Sequence, residues 1–453
     1  MLSLMQTAEL LQGSFSGDAN LHFLRVTTDS RDVKPGDLFI ALQGDTFDGH
    51  DFAQQALTHG AVAVMAHKSL PDFSGNVIQV SNTRRALTQL AAFWRRRFSI
   101  PVIAVTGSNG KTTVKEMIAA ILAAAYGESG RLATQGNLNN DIGVPLTLLR
   151  LNQQHQAAVI ELGMNHPGEI AELAQITQPT VALVNNAQRE HQEFMHSIEA
   201  VANENGSVFS FLPESGIAVF PADSDYLALW RDLACGKKIM TFGLTGAADV
   251  FAQTTGTGGL TLSIAGVPWP AAIPLQILGE HNILNAAAAA ACTHAAGVST
   301  AAIAQGLAAF KPVAGRLVLK RLPQGTVLVD DTYNANPDSV RAAIEVLANL
   351  PRPTLLVLGD MGEVGQQGPE FHAEVGAYAK QKGIGRLMTV GEASRHAAQA
   401  YGAGAQHFPT VAEAQSVLDE SDLGGSILVK GSRFMKMERI VAALCAGEEK
   451  NVA

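Results

Sequence analysis

Residues 100–127 constrain this chain more than any other stretch. IPVIAV (100–105) is a β-branched run that reads as a buried strand, TGSNGKTT (106–113) follows it, and VKEMIAAILAAAYG (114–127) reads as a helix. A Gly-Lys-Thr loop between a buried strand and a helix is the setting of a phosphate loop. Glycines let the backbone curl so that its N–H groups converge on phosphate oxygens, and the helix N-terminus adds partial positive charge. Thr106, Gly107, Ser108, Asn109, Gly110, Lys111, Thr112 and Thr113 are therefore expected to bind ATP. Lys111 would reach the β- and γ-phosphates and the Thr112 hydroxyl would hold Mg²⁺. The first glycine of G-x-x-x-x-G-K-T falls at Val105, so the loop is a variant. Alone it fits a kinase, a GTPase or a ligase; a GTPase would need an Asn-Lys-x-Asp guanine reader, which the sequence lacks.

The flanking pattern is α/β throughout. AAVIELG (157–163) and TVALVNNA (180–187) read as further strands ending in polar residues, the rhythm of a doubly wound parallel sheet that binds ligands at its strand ends. Upstream, Gly36–Leu42, Ala61–Ala66 and Val77–Val80 read as strands, and Asp51–His59 and Thr83–Phe98 as helices. After Asp249 a Gly/Thr-rich alternating segment predicts an antiparallel hairpin, followed by a helix over Asn282–Ala296. From Pro312 the strand–helix alternation resumes with TVLVDD, PTLLVLGD, RLMTVG and SILVKGS, separated by helical Ser339–Leu350 and Pro369–Lys382. The expectation is an α/β protein of three domains. These are a small N-terminal substrate-binding domain (1–98), a central doubly wound ATP-binding domain (99–311) and a Rossmann-like C-terminal domain (312–453).

A chain of 453 residues that is 47% apolar and 16% charged has material for several cores and not the composition of disorder. Its net charge of −9 argues against sequence-blind nucleic-acid binding, and anionic substrates would need locally focused cations. Cys235, Cys292 and Cys445 lie too far apart for a zinc motif or a disulfide framework and read as reduced thiols. The N-terminus lacks a signal-peptide pattern, and no apolar run reaches the roughly 20 residues of a membrane span. Ala286–Ala291 is too short for one and reads as a tightly packed helix. A cytoplasmic monomer is expected.

Eight segments in order, TGSNGKTT, GNLNNDIGVPLTLL (136–149), IELGMNHPGEI (160–170), GEHNILNAAAA (279–289), AGRL (314–317), DDTYNANPDS (330–339), LGDMGEVG (358–365) and VKGSR (429–433), resemble the Mur ligases. TTDSR (27–31) and FDGHDFA (47–53) are similar to that family's nucleotide-sugar recognition segments. YNANP and GDMGEVG resemble the member that adds D-alanyl-D-alanine to UDP-N-acetylmuramoyl tripeptide, while the DNPR motif of the ligase acting one step earlier is absent. The resemblance implies amide formation through an acyl phosphate at the expense of ATP. It implies that Glu161, with Thr112, holds Mg²⁺, that His191 serves a second Mg²⁺, and that Asn282 contacts adenine, a role compatible with helix N-capping. Lys111, Glu161 and His191 are thus the catalytic candidates. Arg316 and Asp331 would reach the nucleotide from the C-terminal domain. Thr28, Ser30 and Arg31 would face the uridine diphosphate, and Asn137, Asn139, Asn140 and Asp141 would line the substrate cleft. Tyr333, Asn334, Asn336, Lys430 and Arg433 would contact the dipeptide, the nucleotide or another anionic group. The alternatives are another Mur-type amino-acid ligase and a catalytically silent nucleotide-binding homologue.

One segment departs from the family pattern. Many Mur ligases carry a lysine, in a segment like AKGEIF, whose carbamate holds the second Mg²⁺. Here the matching stretch reads VANENGSVF, with Asn205 at the lysine position and Ser207 at the glutamate, and no lysine lies between Lys115 and Lys237. The expectation is that Glu193 or Glu204 supplies the missing oxygens.

Overall fold

The computed structural model describes residues 1–190, 192–254, 259–264, 266–269, 272–322, 325–418 and 425–450, the side chains of 192 and 447–450 excepted. His191 therefore lies outside the described residues. Three sheets organise the rest. The first contains Ser14–Ser16 (β1), Arg25–Thr27 (β2), Asp37–Ile40 (β3), Ala63–Ala66 (β4) and Val77–Gln79 (β5), in the order β1-β5-β4-β3-β2, parallel except for β1.

The second sheet carries the phosphate loop. Its strands are Val102–Thr106 (β6), Arg131–Ala133 (β7), Ala157–Glu161 (β8), Val181–Val184 (β9), Ile217–Pro221 (β10), Lys238–Gly243 (β11), Val250–Thr254 (β12), Gly259–Ile264 (β13), Val267–Pro268 (β14) and Ile273–Pro274 (β15). They run β14-β13-β12-β11-β10-β9-β6-β8-β7, with β15 also on β13. From β7 to β12 all pairings are parallel; β13 turns back antiparallel on β12. The expected hairpin thus exists, and it extends the central sheet. The chain fills β7 and β8 on one side of β6 and then crosses to β9 on the other, so β6 ends at a topological switch point, where such sheets open a ligand crevice.

The third sheet contains Val318–Arg321 (β16), Val327–Asp331 (β17), Thr354–Gly359 (β18), Arg386–Val390 (β19), Ala405–Phe408 (β20) and Ser426–Lys430 (β21). The order is β16-β17-β21-β18-β19-β20, parallel except for β16.

Helix packing places these sheets. Helix Lys111–Tyr126 lies on one face of the central sheet beside Glu280–Ala295, whose run Ala286–Ala291 is fully buried. Alanines admit close approach where larger side chains would not fit. The opposite face joins the N-terminal unit in one continuous apolar cluster. Helix Thr83–Arg95 is the bridge: buried Arg95 donates to Thr177 O and Gln178 O at 2.9 Å, capping helix Glu169–Thr177, and Trp94 Nε1 donates to Leu151 O at 2.9 Å. No helix among the described residues is long and apolar enough to cross a membrane.

In the C-terminal unit, fully buried His372 pins the loop after β18. Its Nε2 accepts from Met361 N at 2.9 Å, so its Nδ1 carries the proton donated to Gly368 O at 2.7 Å. Burial holds this imidazole below its ordinary pKa, and the same cause lowers His281 and His155. The unfolded chain therefore takes up protons near pH 6.5 that the folded chain refuses, so stability is complete above that pH and is lost as pH falls. Denaturant midpoints should drop between pH 7 and 5, and His372→Gln should flatten that slope. An unchanged slope would remove His372 from the account.

Candidate functional site

Two glycines shape the phosphate loop. Gly107 (φ 128°) and Gly110 (φ 82°) occupy left-handed backbone that a Cβ disfavours. A Cβ on Gly107 would lie 3.0 Å from the backbone nitrogens of Asn185 and Asn186, and one on Gly110 would lie 2.6 Å from Asn285 Oδ1. The loop is wrapped by the residues that follow β9. Asn186 accepts from Asn109 N at 2.8 Å, Asn185 Nδ2 donates to Asn109 O at 2.8 Å and to Asn285 Oδ1 at 3.0 Å, and Gln188 accepts from Asn109 Nδ2 at 2.6 Å. Lys111, first residue of its helix, donates to Gly107 O (2.5 Å), Ser108 O (3.1 Å) and Glu190 Oε1 (2.8 Å).

Glu161 ends β8 beside the loop and is buried. Its Oε1 accepts from Thr112 Oγ1 at 3.2 Å and Asn139 Nδ2 at 2.8 Å; its Oε2 is buried without a hydrogen-bond partner. An orphaned carboxylate oxygen beside a threonine hydroxyl is a donor set of hard oxygens, which suits Mg²⁺.

The C-terminal unit closes the other wall. Arg316 Nη2 donates to Thr112 Oγ1 at 3.0 Å while its guanidinium stacks over Tyr333 at 4.2 Å. Asn336, which caps helix Pro337–Ala348, donates to Asn109 Oδ1 at 2.9 Å. Lys430, at the end of β21, is buried and donates to Asp331 Oδ2 at 2.6 Å and Asn334 O at 2.9 Å, so much of its charge is already balanced. Together these walls enclose a cleft of about 820 Å³.

The cleft gathers most residues singled out in the sequence. Ser108, Asn109, Gly110, Lys111, Thr112, Thr113 and Glu161 line it from the central unit, as do Asn137, Asn139, Asn140, Asp141 and Asn282. Arg316, Asp331, Tyr333, Asn334, Asn336, Lys430 and Arg433 line it from the C-terminal unit. Thr106 and Gly107, at the start of the loop, are buried and do not line the cleft. Thr28, Ser30 and Arg31 do not line the cleft: Ser30 is buried against Gln55, and exposed Arg31 pairs with Asp29 at 2.7 Å. Asn282 does not cap its helix through its side chain. It lies inside Glu280–Ala295, donates to Leu278 O at 2.7 Å and accepts from Asn285 Nδ2 at 2.9 Å.

The replacement proposed for the missing lysine needs correcting. Glu204 accepts from Gly168 N and Ile170 N, both at 2.9 Å, and so caps helix Glu169–Thr177; neither it nor exposed Glu193 lines the cleft. Besides Glu161, the carboxylate that reaches the phosphate loop is Glu190, through Lys111. Asn205 itself is buried under the loop, where its Oδ1 accepts from Thr106 Oγ1 (2.5 Å) and Gly107 N (2.9 Å) and its Nδ2 donates to Val201 O at 3.0 Å. Sequence reasoning also missed Gln188, Asn185, Asn285, His281 and Arg84, of which Gln188, Asn285, His281 and Arg84 line the cleft. The one available signal was the polar ending of the TVALVNNA strand.

A phosphate-binding loop at a switch point, faced by a second α/β unit that contributes cations and amides, defines a nucleotide-dependent enzyme that works between domains. The chain belongs to the Mur ligase family. The family's catalytic domain matches residues 22–95, its middle domain residues 105–293 and its glutamate ligase domain residues 315–433. The chain is 42% identical to the UDP-N-acetylmuramoyl-tripeptide–D-alanyl-D-alanine ligase of Escherichia coli K12 over 98% of both chains. Among solved structures it resembles MurF from Acinetobacter baumannii (TM-score 0.89, 34% identity, 98% of both chains). It also resembles Thermotoga maritima MurF in complex with ADP (TM-score 0.82, 27% identity, 94% of this chain and 98% of that one).

Asn205→Ala would leave the Thr106 hydroxyl and the Gly107 N–H buried without their acceptor. Each unpaired buried donor costs about 1–3 kcal/mol. Urea unfolding should register a loss of that size, and titration with an ATP analogue should show weaker binding. Unchanged values for both would deny Asn205 its hold on the loop.

Proposed function

We propose that this chain is an ATP-dependent amide ligase that adds D-alanyl-D-alanine to UDP-N-acetylmuramoyl tripeptide, releasing ADP and phosphate. The observation that carries this reading is the shared cleft: Lys111, Thr112 and Glu161 stand on one wall, and Arg316, Asp331 and Asn336 on the other. Full-length similarity to ligases of that description supports it.

A carboxylate is a poor electrophile, so it is first phosphorylated by the γ-phosphoryl group. The dipeptide amine then attacks the acyl phosphate, forming the C–N bond as the phosphate–carbonyl bond breaks. Both steps build negative charge on oxygens, and catalysis is mainly positioning and electrostatic stabilisation. Loop N–H groups and Lys111 would hold the β- and γ-phosphates. Thr112 and Glu161 would hold Mg²⁺, which neutralises phosphate charge when bound. Arg316 would supply a second cation from the opposite wall, kept in place by Tyr333 and Thr112. Asn282 and His281 would border the adenine, and burial keeps His281 neutral at pH 7. Asn137, Asn139, Asn140 and Asp141 would line the nucleotide-peptide path, where Arg84 of the N-terminal unit pairs with Asp141. Thr28, Ser30 and Arg31 would serve the uridine diphosphate from the N-terminal unit, and His191 is kept as a metal-site candidate. Residues 1–98, 99–311 and 312–453 are proposed as the three domains of a cytoplasmic monomer.

Phosphate release from Mg-ATP should require UDP-muramoyl tripeptide and D-alanyl-D-alanine together. Release with a different amine would place the chain elsewhere in the family, and no release under any combination would leave a silent nucleotide binder. Lys111→Ala should lower kcat by about 10²–10³-fold, the loss typical of removing a group that stabilises transition-state charge. Because no carbamate can form on Asn205, turnover should be indifferent to removal of bicarbonate. A strong bicarbonate requirement would contradict this.

A further inference from the structure

Three consecutive residues after β9 face two ways. Gln188 exchanges hydrogen bonds with Asn109 (2.6 Å) and with the Ser108 hydroxyl (2.9 and 3.3 Å), and Glu190 accepts from Lys111 at 2.8 Å. Both therefore hold the phosphate loop. Arg189, between them, points into the C-terminal unit. Its guanidinium donates to Asp338 at 2.6, 3.1 and 3.2 Å and to Glu374 at 2.6 and 3.1 Å, and its backbone N–H donates to Asp338 Oδ2 at 2.9 Å. It also stacks over Phe371 at 5.2 Å. Asp338 lies in the first turn of helix Pro337–Ala348, the helix whose cap, Asn336, bonds Asn109; Glu374 lies in helix Gly368–Gln381.

The cluster is mostly shielded from water, with 19% of the Arg189 side chain and 22% of Asp338 exposed. Its hydrogen bonds to Glu374 and Asp338 raise the Arg189 pKa further, and Arg189 holds the Glu374 carboxyl below its usual range. A planar five-donor fork satisfies two carboxylates at once, which a point charge does not. Among the described residues, the hydrogen bonds of the loop itself with the C-terminal unit, Arg316 to Thr112 and Asn109 with Asn336, are each made to a neutral partner.

We propose that Arg189 is a positioning residue for the ligase reaction: it sets how the C-terminal unit docks on the phosphate loop. The link is mechanical and short. A displacement of helix Pro337–Ala348 acts through Arg189 on its covalent neighbours, and they bond Asn109, Ser108 and Lys111. The docking of the C-terminal unit and the geometry around Lys111 are thus one variable. Truncating Arg189 leaves two carboxylates facing each other, with Arg341, 3.0 Å from Glu374, as the cation still paired there among the described residues.

The test uses the full chain with Arg189→Ala, Arg189→Lys, Asp338→Asn and the Arg189→Ala/Asp338→Asn double variant. Each is measured by small-angle scattering with and without Mg-ADP, by ADP affinity, by thermal unfolding and by kcat and KM. Arg189→Ala should unfold cooperatively and keep most of its ADP affinity. It should show a larger radius of gyration with Mg-ADP and lose up to about 10²-fold in kcat, the cost of misplacing reacting groups by about 1 Å. Arg189→Lys should recover part of that loss. The double variant should be no worse than Arg189→Ala, because residues sharing one interaction are non-additive. Unchanged scattering and kcat in Arg189→Ala, or losses that simply add in the double variant, would overturn the proposal. If Arg189→Ala does not fold, the Lys and Asp338→Asn variants decide it by the same readings. The kinetic half rests on the ligase reading; absence of turnover in the unaltered protein would defeat that reading, while the scattering comparison would still judge the docking role.

Discussion

The left-handed backbone at Gly107 and Gly110 is the constraint on which the rest of this structure hangs. Only with those two turns can the chain leave buried β6, curl its N–H groups inward and start a helix at Lys111 within a few residues. The curl brings the backbone against Asn185, Asn186 and Asn285, leaving no room for a Cβ. Asparagine suits the encasing role because one side chain donates and accepts at once, so a buried loop can have its polar groups satisfied without added charge.

Charge is placed by the same economy. An acidic chain that handles anionic substrates must concentrate cations, and here Lys111, Arg316, Lys430 and Arg433 stand on one cleft. Arg433 pairs with Glu438 at 3.3 Å, and both lysines have carboxylate partners, Lys111 with Glu190 and Lys430 with Asp331. These pairs keep the lysine ammonium groups oriented in a partly dry site, where an unpaired charge would be costly. The walls of the cleft belong to different sheets, so its chemistry depends on their docking. Three separate contacts, through Arg316, Asn336 and Arg189, tie the C-terminal unit to the phosphate loop or its flank.

The lysine position shows how a motif can be read correctly and its consequence wrongly. Counting along VANENGSVF places Asn205 where the family resemblance expects a carbamate, and Glu204 is adjacent in sequence. In a helix, adjacent residues point about 100° apart. Asn205 turns under the phosphate loop, and Glu204 turns to the N-terminus of helix Glu169–Thr177, where a carboxylate is favoured by the free N–H groups and the dipole. No motif gives Glu190 a role, because that role depends on how the segment after β9 folds back on Lys111.

Local sequence determined the elements and the chemistry that short segments carry. Apolar and β-branched runs gave β6, β8, β9, β17, β18 and β21, and the Gly-Lys-Thr loop and Glu161 at a strand end were legible one by one, because each depends on residues within a few positions. The strands β1, β2, β7, β10, β11, β16 and β20 go unread: the first three are three residues long, β11, β16 and β20 are partly exposed, and β10 is missed although it is buried; the hairpin gave no sign that it would extend the central sheet. Only the tertiary structure decided which residues meet. It joined Arg189 to Asp338 across 149 positions and Arg316 to Thr112 across 204, and it left Arg31 outside the cleft. Such pairings are fixed by how whole sheets pack against one another, and that packing depends on every buried side chain at once, so no local pattern encodes it.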